Sequence, residues 1–144
     1  MSRIFYTADL HFGHKNIIEY ENRPFIDLGD MESQLIIKWN TKVRPCDTVY
    51  ILGDFAFQGA NLSYRNIEDI LARLNGTKIL IAGNHDKWVS KQGFNEKYFK
   101  QIIPYAEIKD TIKGKTVDVV LCHYPIEDWN GMFYGSYHIH RSYT

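Results

Sequence analysis

The sequence predicts an α/β fold with a mixed sheet or two sheets, and three observations support this class. Apolar, β-prone runs alternate with helical patterns through the first part of the chain, as expected for βαβ units. A later pair of strand patterns around Lys113-Gly114 indicates a hairpin. Four predicted strands stop at Asp, Asn or His residues. Because ligands of open α/β sheets bind beyond the carboxyl ends of strands, these residues predict a site built from several loops at one sheet edge.

Size and composition are those of one soluble domain covering residues 1–144. Lys+Arg and Asp+Glu both number 17, so the net charge is zero, which argues against a general electrostatic grip on nucleic acid. No apolar run approaches the roughly 20 residues that a bilayer-spanning helix needs. The amino-terminal residues lack the layout of a signal peptide. We therefore expect no membrane partner and a cytoplasmic location. The sequence carries no signal for an oligomeric state.

Three short apolar runs predict the strands of the βαβ part. Their bounds are 4–7, 48–52 and 78–82. A helix is predicted between the first two strands, after Asp30, which we expect to be its N-cap. Apolar residues recur there every four positions, which places them near one helix face. They are Met31, Leu35, Trp39 and Val43.

The second half of the chain continues with shorter elements. An apolar stripe predicts a helix over 62–74, and Asn75-Gly76 supplies its C-terminal stop. Residues 95–101 indicate a short helix. The hairpin covers 111–117, and a strand over 117–121 continues from it. The rest of the chain, rich in Gly and aromatic residues, has no clear pattern.

Two of the strand ends carry carboxylates. Asp9 and His11 are spaced so that, in extended backbone, both side chains point the same way and could hold one ion. Gly53-Asp54 follows the second strand, and a carboxylate there could bridge two cations with its two oxygens. Taken alone, the pair Asp9 and His11 is better explained as a loop Asp and a surface His. Gly53-Asp54 alone is better explained as a common turn dipeptide.

The third strand ends in Gly83-Asn84-His85-Asp86, which is more specific. Asn84 offers a neutral oxygen ligand, and His85 could contact a phosphate or donate a proton to a leaving group. Asp86 could orient that imidazole. These residues favour a functional site over a simple turn. His123 follows the fourth strand and suits a second imidazole ligand, although alone it would be read as a core histidine.

The joint order of Asp-x-His, Gly-Asp, Gly-Asn-His-Asp and His resembles the signature of the calcineurin-like metallophosphoesterases over nearly the whole chain. The local sequence is similar to that of a small bacterial and phage branch of this family at residues 11–18, 22–25 and 122–125. The resemblance implies an α/β fold of the α+β type, namely a two-sheet β sandwich flanked by helices. It also implies that Asp9 and His11 bind a first metal and Asp54 bridges both metals.

The same resemblance gives Asn84 and His123 to the second metal and makes His85 the catalytic imidazole, with Asp86 behind it. Two divalent ions about 3.5–4 Å apart would share Asp54 and a water whose pKa falls toward roughly 7. The resulting bridging hydroxide would attack the phosphoryl group in line. Mixed nitrogen and oxygen ligands suit Mn, Fe, Zn or Ni. The expected activity is hydrolysis of a small phosphomonoester or phosphodiester.

Two further residues are candidates for binding the substrate. Arg23 could hold a phosphate oxygen in a forked geometry, and a surface Arg before Pro24 explains it equally well. His14 could face the pocket, or it could be a helix-start residue bonded to backbone.

The carboxyl-terminal residues depart from the family pattern, which normally ends in Gly-His-x-His with one ligand for each metal. Either His138 and His140 form an altered version of that motif, or residues 141–144 occupy its position. The second alignment matches more residues and puts Ser142 and Thr144 where ligands belong. It implies a truncated or altered end, an incomplete sandwich and weaker metal sites. His138 and His140 stay candidate ligands.

Two other functions remain open. A metal- and phosphate-binding module with a degenerate, weakly active site is the first, motivated by the altered end of the chain. A nuclease is the second, and a basic patch would support it. The lysines concerned are Lys87, Lys91, Lys97 and Lys100. The zero net charge disfavours the nuclease, and such a cluster is more often a solvated face.

Overall fold

Two β-sheets and the helices packed on one of them make up the described part of the chain. The computed structural model describes residues 2–13, 17–56, 64–83, 86, 96–132 and 135–140. Within these ranges the elements are, in chain order, β1 (Ile4–Thr7), α1 (Ile17–Tyr20), α2 (Leu28–Lys42), β2 (Thr48–Ile51), α3 (Tyr64–Arg73), β3 (Thr77–Ile81), a 3-10 turn (Glu96–Tyr98), β4 (Gln101–Ile103), β5 (Tyr105–Ile112), β6 (Lys115–Cys122) and β7 (Tyr137–Ile139).

The first sheet is parallel and has the strand order β1-β2-β3-β4. Helix α2 connects β1 to β2, and α3 connects β2 to β3, so the predicted βαβ units are confirmed. In register, Thr7 is opposite Ile51, and Ile51 is opposite Leu80. The carboxyl ends of these strands therefore lie side by side, and the loops that follow them begin at one edge.

The second sheet has the order β5-β6-β7. Strands β5 and β6 form the predicted antiparallel hairpin. It turns at Lys113 and Gly114, whose φ angles of 51° and 77° are those that a two-residue type I′ turn requires. Strand β7 pairs with β6 in parallel.

The first sheet is the middle of three layers. Val49 and Ile51 pack into a core shared with α2 and α3, whereas Leu52 and Ile81 pack against the second sheet. Burial on both faces explains why β3 is a nearly continuous apolar run rather than an alternating one. Helices on one face and a second sheet on the other confirm the mixed α/β class with two sheets. No helix among the described residues is both long enough and apolar enough to cross a bilayer.

The first long helix begins earlier than its apolar pattern predicts. Asp27, not Asp30, is the N-cap of α2, because its side chain accepts a hydrogen bond from the Asp30 N–H at 2.8 Å. The Asp30 carboxylate in turn accepts from the Ile26 N–H at 3.1 Å. These reciprocal bonds satisfy donors at the helix start. The first turn of α2 is thus fixed by polar capping, which apolar periodicity does not report.

Two strands were absent from the sequence prediction. Strands β4 and β7 have three residues each and pair only at a sheet edge. Three residues are too few to display an alternating pattern. The short helix expected over 95–101 is, in its described part, a 3-10 turn followed by the start of β4.

Candidate metal centre

The loops after β1 and β2 run side by side beyond the ends of their strands. An isolated parallel bridge between Phe12 and Ala56 continues the pairing. Backbone hydrogen bonds join the loops from Asp9 N to Gly53 O (3.2 Å), His11 N to Asp54 O (3.0 Å) and Phe12 N to Phe55 O (2.9 Å). The sheet therefore delivers the first two predicted motifs to one place with fixed spacing.

Three predicted ligands have left-handed backbone conformations. The φ angles are 55° at Asp9, 57° at His11 and 54° at Asp54. This region is uncommon for residues other than Gly and costs roughly 1–2 kcal/mol per residue. Such conformations persist only where surrounding contacts fix them, and they concentrate at functional sites.

The same three side chains form a cluster of metal-binding groups. Ligand atoms of Asp9, His11 and Asp54 lie within 4.8 Å of one another. His11 Nε2 is 4.0 Å from Asp9 Oδ1 and 4.0 Å from Asp54 Oδ2, too far for hydrogen bonds. Atoms that each coordinate one ion at about 2.1 Å are separated by up to about 4.2 Å. The two distances from His11 fit side chains arranged around a common cation.

Burial of the imidazole favours the form that binds metals. Desolvation lowers the pKa of His11, opposed by the negative charge of Asp54 and assisted by Arg23. A neutral ring keeps a lone pair for a metal. The cluster therefore combines a neutral nitrogen donor with two carboxylates, and a cation would compensate the charge of the carboxylates.

His123 approaches the cluster from the second sheet. Its ring is completely buried, with Nδ1 2.7 Å from the Leu52 carbonyl oxygen and Nε2 3.5 Å from Asp54 Oδ2. A carbonyl only accepts, so Nδ1 carries a proton, and Nε2 is the ring nitrogen that faces Asp54. Asp54 therefore lies between the imidazoles of His11 and His123, which is the position expected of a bridging carboxylate.

Two glycines make room for the His123 ring. A Cβ atom at Gly83 would lie 2.8 Å from three ring atoms, and a Cβ atom at Gly53 would overlap the same ring. The imidazole is thus held between two backbone segments, one after β2 and one after β3. This contact explains why the Gly-Asp and Gly-Asn-His-Asp motifs each begin with glycine, since any larger residue would collide with the ring.

Asp86 ties these two segments together. The buried carboxylate accepts backbone N–H bonds from Asp54 (2.6 Å), Phe55 (2.9 Å) and Gly83 (2.8 Å). Burial raises the pKa of Asp86, and these three donors oppose that rise. The predicted contact with His85 involves a residue outside the described ranges. What the structure shows is a positioning role, because Asp86 fixes the backbone that carries Asp54.

Other predicted site residues divide into three groups. Arg23 donates to the carbonyls of Asp9 and Leu10 and pairs with Glu21, so binding a phosphate would require some of these bonds to break. The predicted Asn84, His85 and His14 lie outside the described residues, as do Lys87, Lys91 and residues 141–144.

The third group is the pair of carboxyl-terminal histidines. His138 Nδ1 is 3.0 Å from the Val120 carbonyl oxygen, and Nε2 accepts from the Ile126 N–H at 3.1 Å. Both ring nitrogens are therefore used by backbone, and metal binding by His138 would require one bond to break. The His140 ring packs on it with centroids 5.2 Å apart. Among the described residues, the group of possible metal ligands formed by Asp9, His11 and Asp54 includes neither His138 nor His140.

Sequence reasoning missed residues that support the ligands from below. Phe12 and Phe55 each follow a ligand directly, are fully buried, and pack with ring centroids 5.1 Å apart. The Glu32 carboxylate accepts a hydrogen bond from the Gly13 N–H. The aromatic residues that directly follow His11 and Asp54 could have indicated this packing. The contact of Glu32 with Gly13 could not have been predicted, because the two residues are far apart in the sequence.

Comparisons with known proteins agree with this geometry. The sequence model of the family described as calcineurin-like phosphoesterase matches residues 2–141. An uncharacterised protein of Methanocaldococcus jannaschii is 42% identical over 109 residues, covering 76% of this chain and 56% of that protein. The Gene 66 protein of Mycobacterium phage L5 is 31% identical over 138 residues, covering 87% of this chain and 64% of that protein, in agreement with the predicted phage branch.

A solved structure is also similar. The crystal structure of a protein of unknown function from Aquifex aeolicus matches with a TM-score of 0.66 and 30% identity, over 93% of this chain and 67% of that one. The chain spans 56% and 64% of the length of the two curated relatives above. Since the family match runs through almost every residue, and the strand ends place its motifs together, the chain belongs to the calcineurin-like phosphoesterase family.

Proposed function

We propose that this chain hydrolyses a phosphomonoester or phosphodiester at a dinuclear metal centre bridged by Asp54. Membership of the family implies metal-dependent hydrolysis of a phosphoester. The observation that carries the dinuclear arrangement is the position of Asp54 between two imidazoles. Asp54 Oδ2 is 4.0 Å from His11 Nε2 and 3.5 Å from His123 Nε2.

The donor set fits two divalent cations. Asp9 and His11 would hold one ion, His123 and Asn84 would hold the other, and Asp54 would contact both. Carboxylates with neutral imidazoles suit Mn, Fe, Zn or Ni. When bound, such ions supply positive charge for the phosphoryl oxygens and lower the pKa of a coordinated water.

The protein contributes position and proton transfer. Asp86 holds the Asp54 backbone, and Leu52 fixes the orientation of the His123 ring. His85 is proposed as the group that protonates the leaving oxygen, on the strength of its place in the Gly-Asn-His-Asp motif.

Removal of the bridging carboxylate tests the proposal. We expect wild-type protein loaded with Mn²⁺ to hold two ions per chain and to hydrolyse bis(4-nitrophenyl) phosphate. Asp54→Asn should hold at most one ion and lose at least about 100-fold in rate, since loss of outer-shell partners alone costs about 10–100-fold. Metal content is measured by mass spectrometry and hydrolysis by absorbance.

Asp118→Asn is the matched control, because Asp118 is exposed on the second sheet and pairs with Lys109. It should keep wild-type metal content and rate. Equal metal content and equal rates in wild type and Asp54→Asn would reject the dinuclear proposal.

A second candidate is a metal- and phosphate-binding module with a weakly active site. The contacts of His138 favour it, because both ring nitrogens are bonded to backbone and not to the cluster. One bound ion per chain, together with phosphate binding and negligible turnover, would support this module over the hydrolase. A nuclease would instead show binding to DNA or RNA that weakens steeply with salt.

A further inference from the structure

We propose that Arg23 is a positioning residue that locks the turn between Asp9 and His11 in its metal-binding shape, and that Glu21 holds Arg23 in place and balances its charge. The inference rests on the proposed metal-dependent function and extends it to a residue that need not touch substrate. The carrying observation is that one guanidinium group fixes both peptide planes between two ligands.

Contacts of the guanidinium account for all five of its N–H donors. Nη2 donates to the Asp9 carbonyl at 2.7 Å and lies 2.9 Å from Glu21 Oε2. Nη1 donates to the Leu10 carbonyl at 2.9 Å and to Met31 Sδ at 3.5 Å. Nε donates to Glu21 Oε2 at 3.0 Å. With 14% of its side chain exposed, Arg23 is part of the wall beneath the ligand turn rather than a surface group.

The two carbonyls that accept from Arg23 belong to the peptide planes that connect Asp9 to His11. The Asp9 carbonyl belongs to the peptide plane between Asp9 and Leu10, and the Leu10 carbonyl to the plane between Leu10 and His11. Both ligands have left-handed φ angles, which other backbone contacts must maintain. The backbone N–H groups of Asp9 and His11 are already bonded to the neighbouring loop. Arg23 therefore adds a side-chain constraint on the two planes that set the angle between the ligand side chains.

Glu21 compensates the positive charge that Arg23 places near the metal ligands. A guanidinium close to a cation site would repel the ion. Its partner Glu21, whose Oε2 accepts from both Nε and Nη2 of Arg23, is also largely buried, so the pair places little net charge beside the ligands. The pair thus gives rigidity to the turn without a net positive charge.

Lysine cannot reproduce this arrangement. Its ammonium is a single point donor, whereas the guanidinium presents a planar fork that reaches two carbonyls and a carboxylate together. Arg23→Lys keeps the charge and tests the geometry. Glu21→Gln keeps the shape and tests the charge balance. Arg73→Ala, at an exposed arginine in the last turn of α3, is the matched control.

The experiment measures Mn²⁺ binding by calorimetry and the imidazole NMR signals of His11 in the metal-free full chain. We expect Arg23→Ala and Arg23→Lys to weaken one Mn²⁺ site by about 10–100-fold, as for other outer-shell partners. We expect their His11 signals to shift or multiply without metal. Guanidinium chloride at millimolar concentration should partly restore Mn²⁺ affinity in Arg23→Ala. Glu21→Gln should weaken affinity because it leaves the charge of Arg23 uncompensated beside the ion, and added salt should restore little of the loss because the pair is largely buried.

Wild-type Mn²⁺ affinity and wild-type His11 signals in both Arg23 variants would overturn the proposal. If Arg23→Ala fails to fold, Arg23→Lys carries the test, because it retains the charge and most of the side-chain volume. If the wild type binds no Mn²⁺, the proposed function fails, while the metal-free His11 signals still decide whether Arg23 fixes the turn. Effects of equal size in Arg73→Ala would also count against it.

Discussion

Asp86→Asn is expected to lower the free energy of unfolding by about 2–4 kcal/mol and to weaken metal binding together with hydrolysis. The Asp86 carboxylate accepts backbone N–H bonds from Asp54, Phe55 and Gly83. An amide of the same shape has one oxygen, and its NH₂ group would face a donor instead of accepting from it. Hydrogen bonds to charged groups contribute about 1.5–3 kcal/mol each, so the loss of one bond, together with the donor-to-donor contact that replaces it, gives the stated range.

The measurement for Asp86→Asn is urea denaturation of the metal-free protein, followed by Mn²⁺ titration of the folded variant. Asp69→Asn, at an exposed position in α3, provides the control and should change neither quantity. Stability equal to that of the wild type would contradict the positioning role of Asp86. If metal binding falls while stability does not, Asp86 acts on the site through a contact other than these three bonds.

Gly83→Ala is expected to displace the proposed ligand His123 and to reduce hydrolysis by at least about 100-fold, because loss of outer-shell partners alone costs about 10–100-fold. The added methyl would lie 2.8 Å from the ring, which backs onto Gly53 and is bonded to the Leu52 carbonyl. The ring therefore has no direction in which to yield without losing a contact. Overpacking of this kind costs about 1–3 kcal/mol of stability.

Gly83 is a more informative position than Gly53 for this test. Gly53 has a φ of 83°, so an alanine there would add backbone strain to the steric effect, whereas Gly83 carries no such angle. Gly29→Ala is the control, since its Cβ would meet only an ordinary contact 3.6 Å away at the start of α2. Metal content and hydrolysis are compared across the set. Two ions per chain and wild-type turnover in Gly83→Ala would refute the steric argument.

Much of the fold could be predicted because its elements carry long periodic patterns. The parallel strands β1, β2 and β3 and the helices between them each show enough residues for a period to emerge. Strands β4 and β7 could not be predicted, because three-residue edges are fixed by their neighbours rather than by their own sequence. The start of α2 was misplaced for a related reason, since it depends on the Asp27 cap.

The site shows the same division between local and long-range information. Positions at strand ends predicted that four ligands would lie close together, and the order of the strands brings those ends together. The four are Asp9, His11, Asp54 and His123. The supporting contacts of Asp86 could not be predicted. Two of its hydrogen-bond donors are backbone N–H groups some 30 residues away. Nearly every residue type has a backbone N–H, so the residue types at those positions do not reveal the contact.

The aromatic pair beneath the ligands has a consequence for how the site can fluctuate. Phe12 and Phe55 lie in the core shared with α2 and α3, and Phe55 also packs edge-on against Phe99. Either ligand turn can open only by withdrawing a ring from that core. Loops usually exchange their amide hydrogens through small local openings. We therefore expect the amides of Asp9, His11 and Phe12 to exchange slowly, together with those of the helices that share this core.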